Sequence, residues 1–254
     1  MLFLRCLMGF FALWVYLPLS NWNRERRRRK QKNRKKIRGF IQIPRLESVN
    51  WRSVTSHRLV PLWEIAKENG NVRISELAIL NALASECPPG REIFEIGTFD
   101  GRTSLNLSLS SSADVRVSTL DLVASKEAKL KLDEGDKHMI DKPLSGGRLW
   151  HAKRTGKIAD GSVTQLVGDS ASFDFSPWHG KCGLVFVDGS HSKEYVLCDS
   201  GNALKMVGAD GVIVWHDYGV WPGVTEGLEE LASSKGLEIQ YIKGTSLAIL
   251  RVAP

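Results

Sequence analysis

The chain has 254 residues, 43% of them apolar, and a formal net charge of +7 at neutral pH. This length allows one α/β domain of about 200 residues and an extension. The charge is unevenly distributed, because the first 38 residues contribute +11 and leave −4 for the remaining 216. The part of the chain that can form a domain is therefore mildly acidic, which argues against a basic nucleic-acid-binding domain.

The four cysteines are scattered along the sequence and form no C-x-x-C pair, which excludes the usual zinc spacings. Cys182 and Cys198 are a conceivable pair. Scattered cysteines are more often small buried apolar residues, however. We therefore expect a reducing compartment.

The first twenty residues are largely apolar, and their uninterrupted part, residues 6–19, has 14 residues. A bilayer span needs about 20. Only Arg5 precedes this run, whereas eleven Lys or Arg residues follow it between positions 24 and 38. A secretory signal has the opposite arrangement of charge. We predict that residues 1–39 form an anchor or a disordered arm.

Several interpretations of this segment are open. An inserted helix would keep its basic end in the cytoplasm. A helix lying on the membrane would place the basic arm, residues 24–38, on anionic lipid. The arm also suits nucleic acid or another anionic partner, and translation upstream of the true start would look the same. The predicted location is the cytoplasm, either free or attached to the inner face of the membrane.

Beyond the arm, strands and helices alternate. The predicted elements, in chain order, are a linker at 40–50, helices at 60–69 and 75–83, a strand from 93, a helix at 102–109, strands at 115–121, 165–170, 183–188 and 211–217 with a helix at 193–206, a helix at 226–234, and closing strands at 239–242 and 247–252. Ser75 is the expected N-cap of its helix. Residues 123–162 are longer than an ordinary connection, which predicts an inserted helix and a mobile loop over a site.

This alternation predicts an α/β domain over residues 40–254. The expected fold is Rossmann-like and doubly wound, with a mostly parallel seven-stranded sheet and helices on both faces. In such a sheet, ligands bind at the carboxyl ends of the strands. The residues at those ends are therefore the candidates for a site.

The first strand runs into a glycine turn that opens a helix. Gly97 and Gly101 allow a tight turn and a close approach by a ligand. Glu95 closes the strand and Asp100 lies in the loop, so two acids surround the turn. A dinucleotide site has G-x-G-x-x-G and leaves the helix N-terminus to a pyrophosphate. The G-x-x-x-G spacing with acids favours a cationic or hydroxyl-rich ligand instead.

Acids also end the other predicted strands. They are Glu95, Asp121, Asp188 and Asp217, with Asp169 just beyond another strand. Two of these ends add an imidazole, in Asp188-Gly-Ser-His191 and in His216-Asp217. Carboxylate oxygens suit Mg²⁺ or another hard divalent ion, and His191 can take a proton from a substrate hydroxyl. Turn capping is the alternative explanation for each pair taken singly.

Together these segments resemble the class I S-adenosylmethionine-dependent methyltransferases, and among them the bacterial O-methyltransferase-like family that is similar to catechol and macrolide-sugar O-methyltransferases. The segments that carry the resemblance are 95–101, Asp121, 168–170, 187–191, 211–217 and 221–224. It covers about residues 60–252 and does not extend to the first forty.

The resemblance implies that S-adenosyl-L-methionine is the cofactor. The residues that match the loop around its methionine part are Glu95, Gly97, Thr98, Asp100 and Gly101. Asp121 matches the acid on the ribose hydroxyls, and Asp169 and Ser170 match the pair beside the adenine. Asp188 borders the same cofactor site.

The resemblance also implies roles at the reacting end. Asp188 and Asp217 match metal-binding carboxylates, with His216 as a weaker third ligand, and His191 matches the base of the sugar-modifying members. Tyr218 follows Asp217 where the catechol enzymes have an amide, which disfavours a catechol acceptor.

The expected activity is methyl transfer from S-adenosylmethionine to an oxygen of a small hydroxylated acceptor, with Asp188, His191 and Asp217 as the catalytic residues and a divalent cation as the assisting metal. A nicotinamide-dependent oxidoreductase is disfavoured by the absent third glycine and by the lack of a Tyr-x-x-x-Lys pair. A membrane- or nucleic-acid-tethered binding module with a vestigial site is the rival from another class. A homo-oligomer is a further prediction.

Overall fold

A twisted sheet of eight strands organises the fold. The computed structural model describes residues 2–32, 45–56, 59–66, 71–123, 127–136, 145–159 and 161–253. The strands are β1 Glu47–Val49, β2 Glu92–Ile96, β3 Arg116–Asp121, β4 Val163–Val167, β5 Cys182–Val187, β6 Val207–Trp215, β7 Gln240–Ile242 and β8 Ala248–Arg251. Their order across the sheet is β1-β7-β8-β6-β5-β2-β3-β4.

Only β8 runs antiparallel to its neighbours among the described strands; the other pairs are parallel. The helices are α1 Leu2–Phe10, α2 Leu17–Lys32, α3 Trp51–Val54, α4 Ile74–Ser85, α5 Arg102–Ser110, α6 Gly147–Arg154, α7 Lys193–Met206 and α8 Pro222–Lys235. A π-helical turn, Phe11–Tyr16, joins α1 to α2, and a short 3₁₀ helix spans Ser176–Trp178.

The central strands are apolar without interruption because both of their faces are covered. Ile93 and Val214 belong to the core beneath α4 and α5. Phe94 and Ile213 belong to the opposite core, beneath α7 and α8. This two-sided burial is what a parallel strand between helical layers requires. The predicted Rossmann-like α/β fold is therefore confirmed.

The sheet has one strand more than the predicted seven. The extra strand, β1, lies within the segment expected to be a linker and pairs in parallel with β7. It has only three residues and a largely exposed pattern. A strand of this kind is stabilised by pairing with an edge rather than by burial, so no apolar alternation marks it in the sequence.

The helix expected at residues 60–69 is not formed in residues 59–66, and residues 67–70 lie outside the described part. The carbonyl oxygen of Pro61 instead accepts a hydrogen bond from Asn81, at 2.8 Å. The backbone N–H of Trp63 donates to Asn106 Oδ1 at 3.0 Å. Side chains of α4 and α5 thus bind the backbone groups that helical bonds would have used.

The N-terminus of α4 is not capped as the sequence predicted. The helix begins at Ile74 with Arg73 at the N-cap position, so Ser75 lies inside it. Within the described residues the Ser75 hydroxyl has no hydrogen-bond partner. Glu76 accepts a hydrogen bond from the backbone N–H of Arg73 at 2.8 Å, so a carboxylate binds a free N–H group at the start of the helix.

The insertion contributes one helix, α6, while residues 124–126 and 137–144 lie outside the described part. The segment before α6 is tied to the loop after β2, because Gly146 N donates to the Phe99 carbonyl oxygen at 2.6 Å. Arg148 Nε also lies 2.8 Å from Asp100 Oδ2. The inserted helix is confirmed, and mobility of the adjoining loop stays a prediction.

The first helices pack on the domain. The inner side of α1, the π-helical turn and α2 is buried in the core that includes α4. Residues 2–32 are helical, and residues 33–44 lie outside the described part, so the assignment of residues 1–39 as an anchor or a disordered arm stays a prediction. The four cysteines are free, so Cys182 and Cys198 do not pair.

Replacement of Phe94 by alanine tests the core beneath α7 and α8. Phe94 is fully buried, and its ring packs edge-on against Phe175 at 5.4 Å and Trp178 at 5.0 Å between centroids. We expect Phe94→Ala to lower the free energy of unfolding by about 3–5 kcal/mol, measured by urea denaturation. Phe94→Leu should cost distinctly less. A loss below about 1 kcal/mol in Phe94→Ala would contradict this packing.

Candidate active site

A cavity of about 340 Å³ lies at the carboxyl ends of β2, β3, β5 and β6. The predicted site residues that line it are Gly97, Asp121, Asp169, Ser170, Asp188, His191 and Asp217. Further lining residues include Phe99, Leu132, Asp136, Tyr195 and Trp221. Parallel strands bring residues from distant parts of the chain to this one edge.

The glycine turn makes the cavity possible. Gly97 has φ +100°, and a Cβ there would lie 2.0 Å from the carbonyl oxygen of Asp188. Gly101 has φ +82° and forms the N-cap of α5. The loops after β2 and β5 therefore approach each other more closely than any residue with a side chain at position 97 would allow.

Several residues assigned to the cofactor loop do not line the cavity. Glu95 is buried and accepts hydrogen bonds from Ser104 and, at 2.7 Å, from Thr119. Burial raises the pKa of Glu95 to about 8, although these two hydroxyls oppose the shift. Thr98 also faces the protein interior, where its hydroxyl lies 2.7 Å from that of Thr119.

Asp100 and Gly101 hold the loop from outside the cavity. Asp100 accepts from Asn71 Nδ2 at 3.0 Å and forms an ion pair with Arg148. A Cβ on Gly101 would lie 2.6 Å from Leu149 Cγ in α6. These two residues connect the turn to the insertion rather than to the space where a ligand lies.

The acids after β3 and β4 do border the cavity. Burial raises the pKa of Asp121 to about 6, while a hydrogen bond from Ser145 opposes the shift. Asp169 accepts from the Tyr195 hydroxyl at 2.9 Å and from the backbone N–H of Lys129 at 2.6 Å. Tyr195 is a site residue that the sequence analysis missed, because it lies in the predicted helix 193–206 with no motif around it.

Asp188, His216 and Asp217 form a cluster at the ends of β5 and β6. One potential ligand atom from each lies within 4.8 Å of the others. Nδ1 of His216 is 3.0 Å from Asp188 Oδ1 and 3.3 Å from Asp217 Oδ2. No described residue meets full hydrogen-bond geometry with this buried nitrogen, although both carboxylates lie within ion-pair distance of it. Two carboxylates and an imidazole nitrogen are a donor set that fits a divalent cation.

Glu76 supports His216 from behind and was not anticipated. Its Oε2 lies 3.4 Å from His216 Nε2, and its Oε1 accepts from the Ser246 backbone N–H at 2.7 Å. Burial opposes ionisation of Glu76, but the hydrogen bond to His216 and the nearby charges lower its pKa to about 2. A carboxylate on the far nitrogen of a metal-binding histidine commonly fixes the ring and its tautomer.

His191 lies between two carboxylates. Its Nε2 is 2.9 Å from Asp217 Oδ2, and its Nδ1 is hydrogen-bonded to Asp136. The Trp221 ring stacks on the imidazole with centroids 4.4 Å apart. Burial favours the neutral ring, but the bonds to Asp136 and Asp217 outweigh it and raise the pKa of His191 to about 10.

Asp136 is the third site residue that the sequence did not reveal. It comes from the insertion, and its carboxylate also accepts from the Ser190 hydroxyl at 2.6 Å and from the backbone N–H of His191 at 3.1 Å. The polar composition of residues 123–162 marks none of its acids as special. Only the folded chain brings Asp136 to the loop after β5.

A methyltransferase domain model matches residues 94–218 of this chain, a range that begins in β2 and ends just after β6. This range contains every cavity-lining residue predicted from the sequence. No curated protein is significantly similar to the sequence.

Solved structures with the same fold include methyltransferases. The O-methyltransferase NovP superposes with a TM-score of 0.57 at 15% identity, over 72% of this chain and 81% of that chain. The Podospora anserina methyltransferase PaMTH1, bound to S-adenosylhomocysteine, superposes with a TM-score of 0.54 at 14% identity, over 73% of this chain and 81% of that chain. The Streptomyces achromogenes O-methyltransferase TomG, in complex with S-adenosylmethionine, superposes with a TM-score of 0.50 at 19% identity, over 75% of this chain and 92% of that chain.

At these identities the structural likeness establishes the fold, and the domain match applies to residues 94–218. Both agree with the strand order and with the cavity at the carboxyl edge of the sheet. Residues 94–218 thus match a methyltransferase domain, and the chain has the fold of these methyltransferases.

Proposed function

We propose that the protein transfers the methyl group of S-adenosylmethionine to an oxygen of a small hydroxylated acceptor. The observation that carries this proposal is a single cavity in which Asp121 and Asp169 lie beside the network formed by Asp136, His191 and Asp217. The neighbours TomG and PaMTH1, which contain S-adenosylmethionine and S-adenosylhomocysteine, support the choice of cofactor.

The cofactor half of the cavity is formed by the ends of β2, β3 and β4. Asp121 would accept hydrogen bonds from the ribose hydroxyls, and Asp169 with Ser170 would lie beside the adenine. The turn at Gly97 gives the methionine part close access to the backbone. An acidic rim of this kind favours a cationic cofactor electrostatically.

In the reacting half, the protein positions the acceptor and removes its proton. Bound S-adenosylmethionine supplies a methyl group that its sulfonium already activates, so positioning and deprotonation are the main tasks. His191 would accept the hydroxyl proton at Nε2, and Asp136 would hold the ring through Nδ1. The pKa of His191 is about 10, so only a minor fraction of the ring is neutral at neutral pH. This role therefore requires that minor form, or a weaker interaction with Asp217 that lowers the pKa of His191.

Asp188, Asp217 and His216 would hold a divalent cation such as Mg²⁺, with Glu76 orienting His216. Such an ion lowers the pKa of a hydroxyl bound to it. It would also share Asp217 with His191, because the same carboxylate oxygen faces both histidines. Tyr218 points away from this cluster, and its hydroxyl bonds to Glu229 at 3.0 Å.

We further propose that the protein acts in the cytoplasm, with residues 24–38 contacting a membrane surface or another anionic partner. Eleven of these fifteen residues are Lys or Arg. Homo-oligomerisation and the division at residues 39 and 40 stay predictions.

The pH dependence of cofactor binding tests the role of Asp121. Its carboxylate accepts hydrogen bonds most strongly, and through both oxygens, when it is ionised. We therefore expect the affinity for S-adenosylmethionine to fall as pH drops through about 6. Asp121→Asn should bind about 10- to 100-fold more weakly at neutral pH and lose this pH dependence, as measured by calorimetric titration. If folded protein binds neither S-adenosylmethionine nor S-adenosylhomocysteine, the methyltransferase proposal fails and the tethered binding module becomes the better account.

Metal binding is tested without any acceptor by titrating Mn²⁺ calorimetrically. We expect Asp188→Asn to abolish binding and Glu76→Gln to weaken it by about 10- to 100-fold, since Glu76 orients a ligand instead of being one. Asp174→Asn is the matched control, because Asp174 is an exposed acid of the same domain. Equal Mn²⁺ affinity in Asp188→Asn and the parent would exclude the cluster as a metal site.

The pairing of Asp136 with His191 predicts a change in imidazole titration. Removing the Asp136 charge in Asp136→Asn should lower the pKa of His191 from about 10, because the hydrogen bond to Asp136 is the strongest influence that opposes burial. Histidine NMR spectra recorded across the alkaline range measure this directly, with the exposed His179 as internal reference. An unchanged pKa of His191 in Asp136→Asn would contradict the proposed interaction between Asp136 and the imidazole.

A further inference from the structure

The N-terminal helix contacts the catalytic domain along most of its length. The backbone carbonyl of Arg5 accepts from Leu62 N–H at 3.3 Å. Trp14 packs edge-on against Trp51 with ring centroids 5.5 Å apart. Near the other end, the guanidinium of Arg24 donates to the Thr245 carbonyl oxygen. The contact is therefore continuous from the first turns to the basic end.

Two glycines allow this contact to be close. A Cβ on Gly9 would lie 1.8 Å from the carbonyl oxygen of Val60. A Cβ on Gly244 would lie 3.0 Å from both Leu17 Cδ1 and Asn21 Cβ. Glycines at both contacts let the backbones approach more closely than side chains would allow, as in a tightly packed interface. The inner side of the helix is therefore already covered by the domain.

The outer side of the same helix is apolar and exposed. Its exposed large apolar residues are Leu2, Phe3, Leu4, Leu7, Phe10, Phe11, Val15, Leu19 and Trp22. Beyond the first turn they recur on one side, opposite the buried Gly9, Ala12, Leu13 and Leu17. A continuous apolar stripe of this size marks an interaction surface on a protein.

The basic residues follow the apolar stripe directly. Arg26 and Arg27 are exposed, and the Arg26 guanidinium lies 5.4 Å from the Trp22 ring centroid. An apolar face that ends in an aromatic residue and continues into positive charge complements an anionic lipid surface. Nucleic acid would satisfy the arginines but leave the apolar stripe in water.

The length of the docked part distinguishes a helix that spans the bilayer from a helix that lies on the membrane surface. The helix from Leu2 to Arg27 is long and apolar enough to cross a bilayer by length and composition alone. The stretch that contacts the domain, from Arg5 to Arg24, spans roughly 29 Å at 1.5 Å per residue, which equals the hydrocarbon thickness. A spanning helix would therefore have to give up the whole docked interface.

We propose that this helix lies in the plane of an anionic membrane surface, with its outer face in the lipid and the catalytic domain docked on its inner face. This inference rests on the proposed contact with a membrane and is independent of methyl transfer. The binding is monotopic, so the domain is held directly against the surface rather than suspended from a transmembrane segment.

The first test is co-sedimentation of the full chain with vesicles of phosphatidylcholine, with and without anionic phosphatidylglycerol. We expect binding to the anionic vesicles that weakens in high salt and is released by alkaline carbonate. Arg26→Gln and Arg27→Gln should each lower the affinity about fivefold. Phe11→Glu should abolish binding, whereas Trp150→Glu, at an exposed aromatic residue elsewhere, should bind like the parent.

Circular dichroism of each variant, and its calorimetric affinity for S-adenosylmethionine, separate a failure of membrane binding from a failure of the fold or of the proposed activity. Carbonate-resistant binding would overturn the proposal in favour of a span. Binding to nucleic acid but not to vesicles, or a stable dimer that buries the stripe without lipid, would overturn it as well.

The amide of Leu62 reports on docking directly, because it donates to Arg5 in the N-terminal helix. We expect hydrogen exchange at Leu62 to stay slow when the protein is bound to anionic vesicles. A helix that leaves the domain to cross the bilayer would expose this amide and speed its exchange. The variant Gly9→Leu, which separates the helix from Val60, provides the reference for an undocked helix.

Discussion

The carboxylate of Asp217 is the point on which the site depends, because one oxygen faces both His191 and His216. The residue has φ 62°, a conformation that aspartate tolerates better than most side chains. Burial disfavours its charge, yet the two imidazoles hold its pKa far below the usual value. Without this carboxylate, the two imidazoles would face each other across a buried space with no group between them.

The network extends outward from Asp217 to residues that stabilise the fold. Glu76 on α4 binds His216 on one side and Ser246 on the other, and Asp136 binds His191 from the insertion. Each histidine is therefore fixed by one carboxylate from the sheet edge and one from a covering segment. The ring orientation is a product of tertiary packing rather than of the strand ends alone.

The sequence was sufficient for seven of the eight strands and for the acids at the carboxyl edge of the sheet, because apolar runs mark parallel strands and their ends must share one side. It was insufficient for Asp136 and Tyr195, which line the cavity, and for Glu76, which contacts His216 from behind. These residues come from helices and an insertion whose local pattern is that of any polar surface. The assignment of Glu95 was also misleading. A carboxylate at a strand end usually faces outward, but two hydroxyls hold Glu95 in the interior.

One short segment of the insertion, residues 127–136, touches both halves of the cavity. Its backbone binds Asp169 through Lys129, and its last residue, Asp136, binds His191. Under the proposed function, this segment would have to move for either ligand to enter or leave the cavity. Entry of the cofactor and entry of the acceptor would then be coupled through one movement of one segment.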